Sequence, residues 1–275
     1  MPYPHDLWRL LITQPAHGAW NMAVDEMLLE LMEDGHTQAC LRLYAWEPAC
    51  LSIGYAQPYS EIDLERLHLH NWEWVRRPTG GRAILHTDEL TYSVVAPSSD
   101  ARMAGSVLES YQRLSKALLS ALHSMNIPAQ AHPLPPSITG QEAGAVCFEV
   151  PSNYEIIIQG KKLVGSAQAR RKISVLQHGS LPLGGDLTRI TQALHYPDEI
   201  NREDAAARLL AHATTAETVL GYPLSWDAVA QSFVEAFQTE LNLGFVASEL
   251  SCAELQKVDQ LVREKFAQPA WLERI

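Results

Sequence analysis

The sequence predicts a mixed α/β fold of the α+β kind, in which a mixed, largely antiparallel sheet is covered by helices. Three observations lead to this prediction. Short apolar runs of strand length dominate the chain up to Leu181, the dipeptide Gln159-Gly160 separates two of them as a hairpin turn, and helical spacing dominates from Arg202 onward. No internal repeat and no linker composition interrupts the chain, so we expect one domain over residues 1–275.

Four segments carry the apolar spacing of helices. Asn21 to Met32 has apolar residues at helical intervals and ends near Gly35, a residue that favours a helix end. From Leu108 to Leu122, large apolar residues recur at three- and four-residue steps, as on one face of an amphipathic helix. The segments Trp226 to Leu241 and Ser251 to Phe266 are also predicted to be helical.

Other segments are predicted to be strands because they are short, apolar and bounded by turn residues. They are Ala39 to Tyr44, Cys50 to Tyr55, Trp72 to Arg76, Leu90 to Val95, Tyr154 to Ile158, Lys161 to Ser166 and Val175 to Leu181. The proline-rich stretch from His132 to Gly140 predicts an irregular, mobile loop.

Composition and charge argue against several classes of protein. The chain is 47% hydrophobic and 19% charged, as in an ordinary globular protein, and its net charge of -11 argues against a nucleic-acid binder. No apolar stretch is long enough to span a membrane, and the first residues lack the pattern of a signal peptide. The four cysteines have no metal-ligand spacing. We therefore expect a cytoplasmic protein that uses no metal.

Cys147 is the strongest candidate for a nucleophile. It follows the proline-rich stretch and precedes the predicted hairpin, so we expect it to be accessible. A thiolate attacks thioesters readily, and a nearby cation such as the amine of Lys162 favours the thiolate. The alternative is that Cys147 is a small buried apolar residue, and that inert role is the one we expect for Cys40, Cys50 and Cys252.

A second cluster surrounds a pair of adjacent glycines. It consists of Arg76, Arg77, Thr79, Gly80, Gly81 and Arg82. Residues 79–82 of this cluster are called the glycine turn below. Glycines permit close approach of a ligand and arginines attract anions, although most Gly-Gly pairs are only turns. His86 on the next predicted strand could orient a substrate or relay a proton. The small residues from Gly165 to Gln168 suit either a narrow chain or tight strand packing.

Taken together, these segments resemble the biotin/lipoate protein ligase superfamily, and most closely its cysteine octanoyltransferases of the LipM type. The similar segments are Asn21 to Glu26, Leu51 to Tyr55, Arg76 to Arg82 followed by His86, Glu89 to Val94, Cys147 to Glu155, Gly160 to Gln168 and Leu176 to Ser180. One departure is Thr87-Asp88, where relatives often have Asp directly after the histidine.

The resemblance implies a catalytic domain related to class II biotinyl and lipoyl synthetases. It implies transfer of octanoate, without a cofactor, from octanoyl-acyl carrier protein to a lysine of a lipoyl domain, commonly the glycine-cleavage H protein. Cys147 would be the acyl-accepting nucleophile and Lys162 the lysine near the acyl carbonyl. The substrate-binding residues would be Arg76, Arg77, Thr79, Gly80, Gly81, Arg82, His86, Gly165, Ser166, Ala167, Gln168 and His178. Basic residues near Arg76 and between Lys161 and Lys172 would guide the docking of an acidic carrier protein.

Three alternatives remain open at this point. An ATP-dependent lipoate or octanoate ligase would usually have a third glycine where this chain has Arg82, and would not need Cys147. A transferase that takes octanoate from the H protein usually has a different glycine turn. A non-catalytic protein that binds lipoyl domains or fatty acids would not need both Cys147 and Lys162. The sequence also leaves open whether Lys162 or His86 acts as the base.

Overall fold

A computed structural model of the protein describes residues 3–133 and 154–275. Its strands are β1 (Asp6–Ile12), β2 (Cys40–Tyr44), β3 (Cys50–Ile53), β4 (Glu73–Arg76), β5 (Ile84–His86), β6 (Glu89–Pro97), β7 (Gln130–Pro133), β8 (Tyr154–Ile158), β9 (Lys161–Arg170), β10 (Ser174–Pro182) and β11 (Leu243–Ala247). Its α-helices are α1 (Gly18–Glu33), α2 (Leu64–Leu69), α3 (Val107–Ser124), α4 (Glu199–His212), α5 (Ala216–Leu220), α6 (Trp226–Leu241), α7 (Cys252–Leu261) and α8 (Pro269–Leu272).

Eight of the strands form one large sheet in the order β11-β1-β2-β6-β10-β9-β8-β7. Strand β1 pairs in parallel with both β11 and β2, whereas the pairings from β2 to β7 are antiparallel. Helices pack on both faces. On the central strand β6, Ser93 bonds to a side chain of α1, and its neighbour Tyr92 packs against Phe233 of α6. Successive residues of a strand point to opposite faces, so α1 and α6 lie on opposite sides of the sheet. The predicted fold class is confirmed.

A smaller sheet carries the glycine turn. Strand β3 lies between β4, to which it is parallel, and β5, to which it is antiparallel. Leu51 and Ile53 of β3 pack with Leu194 and Leu209 in a second apolar cluster. The glycine turn lies in the segment that connects β4 to β5 of this small sheet.

The strongest local signals in the sequence match the structure closely. At the hairpin turn between β8 and β9, Gln159 and Gly160 have φ values of 50° and 76°. Two positive φ values in succession are the conformation of a type I′ turn, which joins antiparallel strands with the correct twist. Helix α6 has the predicted bounds, Trp226–Leu241, and it ends at Asn242 in the left-handed conformation. None of the helices in the described ranges is long and apolar enough to cross a membrane.

One expectation about secondary structure is wrong. The stretch from His132 to Gly140 was expected to be irregular, but His132 and Pro133 belong to β7, and the remainder lies outside the described residues. Proline is compatible with this position because β7 is at the edge of the sheet, where one row of backbone groups needs no partner. The chain after Arg202 is mostly helical, as expected, and Leu243–Ala247 adds strand β11 beside β1, which was not predicted.

Candidate active site

A cavity of about 160 Å³ lies between the large sheet and the glycine turn. A cavity of about 150 Å³ is known to hold benzene, so the space suits a small apolar group. Its walls are Met22, Tyr44, Trp46, Ser52, Arg77, Gly81, Arg82, Ile84, His86, Thr91, Lys162, Gly165, Ser166, Ala167, His178, Gly179 and Ser180. Segments distant in sequence thus meet at one place, as the motifs on β3, β5, β9 and β10 suggested.

Most of the expected substrate-binding residues line this cavity, and four do not. Arg77, Gly81, Arg82, His86, Gly165, Ser166, Ala167 and His178 are in the wall, together with Lys162. Among the residues that the structure describes, the wall does not include Arg76, Thr79, Gly80 or Gln168. The side chain of Gln168 instead bonds to Ser110 and Gln177, below the floor formed by its neighbours on β9.

Close packing and a positive φ explain the glycines at the turn. Gly81 has a φ of 93°, a conformation that favours glycine. A Cβ atom on Gly54 would lie 1.9 Å from the carbonyl oxygen of Gly81, so the loop after β3 touches the turn backbone to backbone. The amide of Tyr55 also donates to the carbonyl of Thr79 at 2.9 Å. The turn is therefore seated directly on the end of β3.

Arg77 holds the turn from within. Its Nη2 donates to the carbonyls of Gly80 and Arg82 at 2.9 and 2.7 Å. Its Nη1 donates to the carbonyl oxygen and to Oγ of Ser52, at 2.9 and 3.1 Å. The guanidinium fork thus joins the turn to strand β3 while one face of the side chain lines the cavity.

Arg76 points toward the end of the chain. Its Nη1 donates to the carbonyls of Gly54 and Gln57, and its Nε donates to the carbonyl of Leu272. Burial lowers the pKa of Arg76, and the charge of Arg274 lowers it further. Neighbouring arginines therefore differ in placement, because successive residues at the end of a strand point in opposite directions.

Asp25 is the centre of a buried polar network behind the cavity. It lies on α1 with no exposed surface and accepts hydrogen bonds from Arg42 at 2.8 Å, Ser93 at 2.9 Å and Tyr44 at 3.1 Å. Its Oδ2 also lies 3.3 Å from Nδ1 of His178. Burial by itself would raise the pKa of Asp25, but the charge of Arg42 and the hydrogen bonds hold it below its usual value.

His178 connects this network to the glycine turn. Its Nε2 lies 2.7 Å from Oγ1 of Thr79. Burial lowers the pKa of His178, although Asp25 opposes that effect. A neutral ring that donates from Nδ1 to a carboxylate can only accept at Nε2, so the hydroxyl of Thr79 is the donor there.

A second carboxylate, Glu89 at the start of β6, organises another part of the wall. It accepts from Nδ1 of His86 at 2.7 Å and from the hydroxyls of Thr91 and Ser180, each at 2.5 Å. Burial would raise the pKa of Glu89, but His86 and these hydroxyls hold it below its usual value. On its other side, Nε2 of His86 lies 2.7 Å from Oγ of Ser52.

Lys162 enters the cavity from β9, where it is almost fully buried. Its ammonium group pairs with the carboxylate of Glu155 on the neighbouring strand at 2.8 Å. Cys147 lies outside the described residues. Of the other cysteines, Cys40 and Cys50 are buried in strands, and burial raises the pKa of Cys40 to about 12, which leaves it protonated.

The basic residues expected to form a docking patch are largely bound within the protein. Arg171 pairs with Glu26 at 2.5 Å, and Arg170 bonds to the carbonyls of Met103 and Gly105. The ammonium group of Lys161 donates to the carbonyl of Leu210 at 2.5 Å. Of these contacts, the one with Glu26 pairs a positive charge with a negative one, whereas the carbonyl contacts hold Arg170 and Lys161 in place without cancelling their charge. Within residues 3–133 and 154–275, no cluster of histidine, cysteine or acidic side chains is placed to hold a metal ion.

The two central carboxylates were missed as site residues by the sequence interpretation. Asp25 sits on a helix where eleven residues, on all sides, are buried, and Glu89 begins a strand that is buried almost throughout. A charged residue within so apolar a segment indicates a buried, paired carboxylate, and that signal was available.

Comparison with known proteins places the chain in a family. Residues 17–238 match the model of the lipoyl protein ligase A/B catalytic domain. The chain belongs to this lipoyl protein ligase A/B catalytic-domain family. It is 40% identical to octanoyltransferase LipM of Moorella thermoacetica over 281 residues, which covers 98% of this chain and 99% of the relative. It is 39% identical to octanoyltransferase LipM of Kyrpidia tusciae, with 94% and 96% covered.

Solved structures of the family have the same fold. The bi-partite lipoate protein ligase of Thermoplasma acidophilum superimposes with a TM-score of 0.79 at 24% identity, over 98% of this chain and 97% of the ligase. The resemblance stated from the sequence motifs is therefore confirmed at the level of the family and its fold. Similarity of fold at this identity does not distinguish a ligase from a transferase, because related folds host different reactions.

Proposed function

We propose that the protein is an octanoyltransferase of lipoate biosynthesis, which moves an octanoyl group onto a lysine of a lipoyl domain. The observation that carries this proposal is the identity of 39–40% to octanoyltransferases LipM over nearly the whole length of both partners. The cavity supports it, because a small space bounded by Met22, Ile84 and the glycines of β9 and β10 suits an acyl chain. In this proposal the chain works as one domain in the cytoplasm.

In the first half-reaction, the thiolate of Cys147 attacks the thioester carbonyl of octanoyl-acyl carrier protein. A new carbon–sulfur bond forms, the bond to the carrier's sulfur breaks, the carrier's thiolate leaves and takes up a proton from solvent, and the octanoyl group remains on Cys147. One thioester replaces another, so the step is close to isoenergetic and needs no nucleotide. Lys162 supports this role as a buried ammonium ion in the cavity wall, where it can stabilise the developing oxyanion.

In the second half-reaction, the lysine amine of the acceptor attacks the acyl-enzyme. The carbon–nitrogen bond forms, the carbon–sulfur bond breaks, and Cys147 leaves as the thiol. Of the two protons that the acceptor's ammonium group loses, one goes to the sulfur and the other to solvent. An amide replaces a thioester, so this step is downhill. We propose the lipoyl domain of the glycine-cleavage H protein as an acceptor.

The main alternative is an ATP-dependent ligase with the same fold. A ligase activates the free acid as an adenylate and has no need of a nucleophile at Cys147. The third glycine that is usual in ligase turns is replaced here by Arg82, whose Nη1 lies 3.6 Å from Glu61. Both features favour the transferase. A protein that only binds lipoyl domains or fatty acids would not need both Cys147 and Lys162.

Incubation with octanoyl-acyl carrier protein and H protein in the absence of ATP tests this proposal. We expect octanoylated H protein, detected as a mass increase on its acceptor lysine. No transfer in this mixture, but modification once free octanoate and ATP are supplied, would identify a ligase and refute the transferase. Raising the ionic strength should weaken the interaction with the carrier protein if basic residues guide docking. A Michaelis constant that does not change with salt would contradict that part.

A further inference from the structure

The two histidines of the cavity wall are arranged in the same way. Each receives a buried carboxylate on Nδ1, Asp25 for His178 and Glu89 for His86. Each has a hydroxyl on Nε2 at 2.7 Å, from Thr79 and Ser52 respectively. Both ring nitrogens of both histidines are therefore occupied by groups of the protein itself.

The protonation of the surrounding groups fixes the direction of these hydrogen bonds. The pKa values of Asp25 and Glu89 are held below their usual range, so both carboxylates are acceptors. His178, whose pKa is lowered by burial, then donates from Nδ1 to Asp25 and accepts at Nε2. For Ser52, the guanidinium of Arg77 donates to Oγ at 3.1 Å, which leaves the hydroxyl proton for His86. Every donor in the two chains has an acceptor.

Both chains of hydrogen bonds end on the glycine turn. The first runs from Asp25 through His178 to the side chain of Thr79, at the beginning of the turn. The second runs from Glu89 through His86 and Ser52 to Arg77, whose Nη2 donates to the carbonyls of Gly80 and Arg82. The first chain starts on α1 and the second on β6, and together they hold the turn at its beginning, middle and end.

We propose that the two carboxylate–histidine pairs are positioning devices, which hold the glycine turn against the acyl group, and that neither histidine carries the acceptor's proton. The inference rests on the proposed function, because it assigns these residues a part in that reaction. Gly81 and Arg82 of the turn line the same cavity as Lys162. A turn held by both chains of hydrogen bonds keeps the acyl carbonyl in one orientation for both half-reactions, and a fixed orientation increases the rate.

Positioning and proton transfer predict different kinetics. A residue that only accepts the acceptor's proton matters for attack by lysine, which is an ammonium ion at neutral pH. Acylation by octanoyl-acyl carrier protein and release by hydroxylamine, which is a neutral amine at that pH, do not depend on such a proton acceptor. A positioning residue instead affects all three reactions, because each of them needs the carbonyl in the same place.

Thr79→Val and Thr79→Ser form the matched pair of variants for the test. Valine has nearly the shape of threonine but no hydroxyl, whereas serine keeps the hydroxyl. We expect Thr79→Val to slow acylation, lysine transfer and hydroxylamine release by similar factors, and Thr79→Ser to restore all three. Ser52→Ala interrupts the second chain, between His86 and Arg77, and should reproduce the effect of Thr79→Val. Slowing of lysine transfer alone, in either the valine or the alanine variant, would overturn the proposal in favour of a proton relay.

Hydrogen exchange provides a readout that does not depend on activity. The amide hydrogens of Gly80, Gly81 and Arg82 should exchange about two- to tenfold faster in Thr79→Val, the change expected from the loss of one hydrogen bond. Unchanged exchange in both Thr79→Val and Ser52→Ala would overturn the positioning role. If the wild-type protein forms no acyl-enzyme at all, the proposed function fails, and hydrogen exchange still decides whether the two chains hold the turn.

Discussion

Replacement of Asp25 by asparagine isolates the contribution of a single buried charge. The variant keeps the size of the side chain and one carbonyl oxygen that can still accept. It removes the negative charge that lies 2.8 Å from Nη1 of Arg42, and both side chains of this pair have no exposed surface. The change therefore leaves a guanidinium ion buried without its counter-ion.

The other partners of Asp25 adapt more easily than Arg42 does. The hydroxyl of Tyr44 can turn to accept from the new amide group, and His178 can adopt its other tautomer. Arg42 keeps hydrogen bonds to the carbonyl oxygen and side chain of Asn21, at 3.0 and 2.6 Å, but these groups are neutral. Removing one partner of a buried ion pair costs about 3–5 kcal/mol, and we expect Asp25→Asn to fall in that range.

Urea denaturation followed by circular dichroism measures this loss. For a chain of this size, each kcal/mol lowers Tm by roughly 2–4 °C, so thermal unfolding should show the same loss as a clear shift. Arg42→Met in the Asp25→Asn background removes the uncompensated charge, and the double variant should be more stable than Asp25→Asn alone. A loss below about 1 kcal/mol, the value typical of exposed pairs, would refute the conclusion that this charge is buried and needed.

Three further predictions concern the turn, the second carboxylate and the cavity lysine. Gly54→Ala would bring a Cβ atom against the carbonyl of Gly81, so we expect a lower Tm and lower activity. In Gly80→Ala the new Cβ atom would meet nothing within 4 Å, so this control variant should melt as wild type does. The pKa of Glu89 is lowered on folding, so its carboxylate stabilises the protein at pH values above the unfolded pKa of about 4.3. In denaturation curves, the stability advantage of wild type over Glu89→Gln should shrink as the pH falls below that value. A constant difference from pH 7 to 3 would contradict this. Lys162→Ala should lower kcat by on the order of a hundredfold or more at equal folded fraction, and wild-type turnover would remove Lys162 from the reaction.

Local signals explain why several elements could be predicted from the sequence. The hairpin between β8 and β9 follows from Gln159-Gly160 between two apolar runs, because few other dipeptides accept two positive φ values. Helix α6 follows from regular apolar spacing together with Ser225, which caps its first turn. These signals depend on residues a few positions apart, which the sequence displays directly.

Elements that depend on distant partners could not be predicted in the same way. Strand β1 carries exposed apolar residues such as Leu7 and Ile12, and it is a strand because β2 and β11 flank it in parallel. Strand β11 begins directly after α6, where Asn242 in the left-handed conformation reverses the chain. The pairing of β1 with β11, which both strands share, joins residues more than two hundred positions apart, such as Asp6 and Leu243.

The site shows the same division. The glycine turn and the small residues of β9 were recognised as candidates and are brought together in one cavity. The contact of Arg76 with the carbonyl of Leu272, near the end of the chain, is one that no local pattern reveals. Asp25 on α1 joins the site because His178, distant in sequence, reaches it, whereas Glu89 is reached by His86, which precedes it by only three residues.

The most direct test of covalent transfer is the intact mass of the protein after incubation with octanoyl-acyl carrier protein and without ATP. We predict the addition of one octanoyl group, removable by hydroxylamine, absent in Cys147→Ala and retained in Cys252→Ala, which removes an exposed cysteine far along the chain on α7. An adduct that persists in Cys147→Ala, or no adduct in the wild-type protein, would contradict the account of Cys147 as the residue that carries the acyl group.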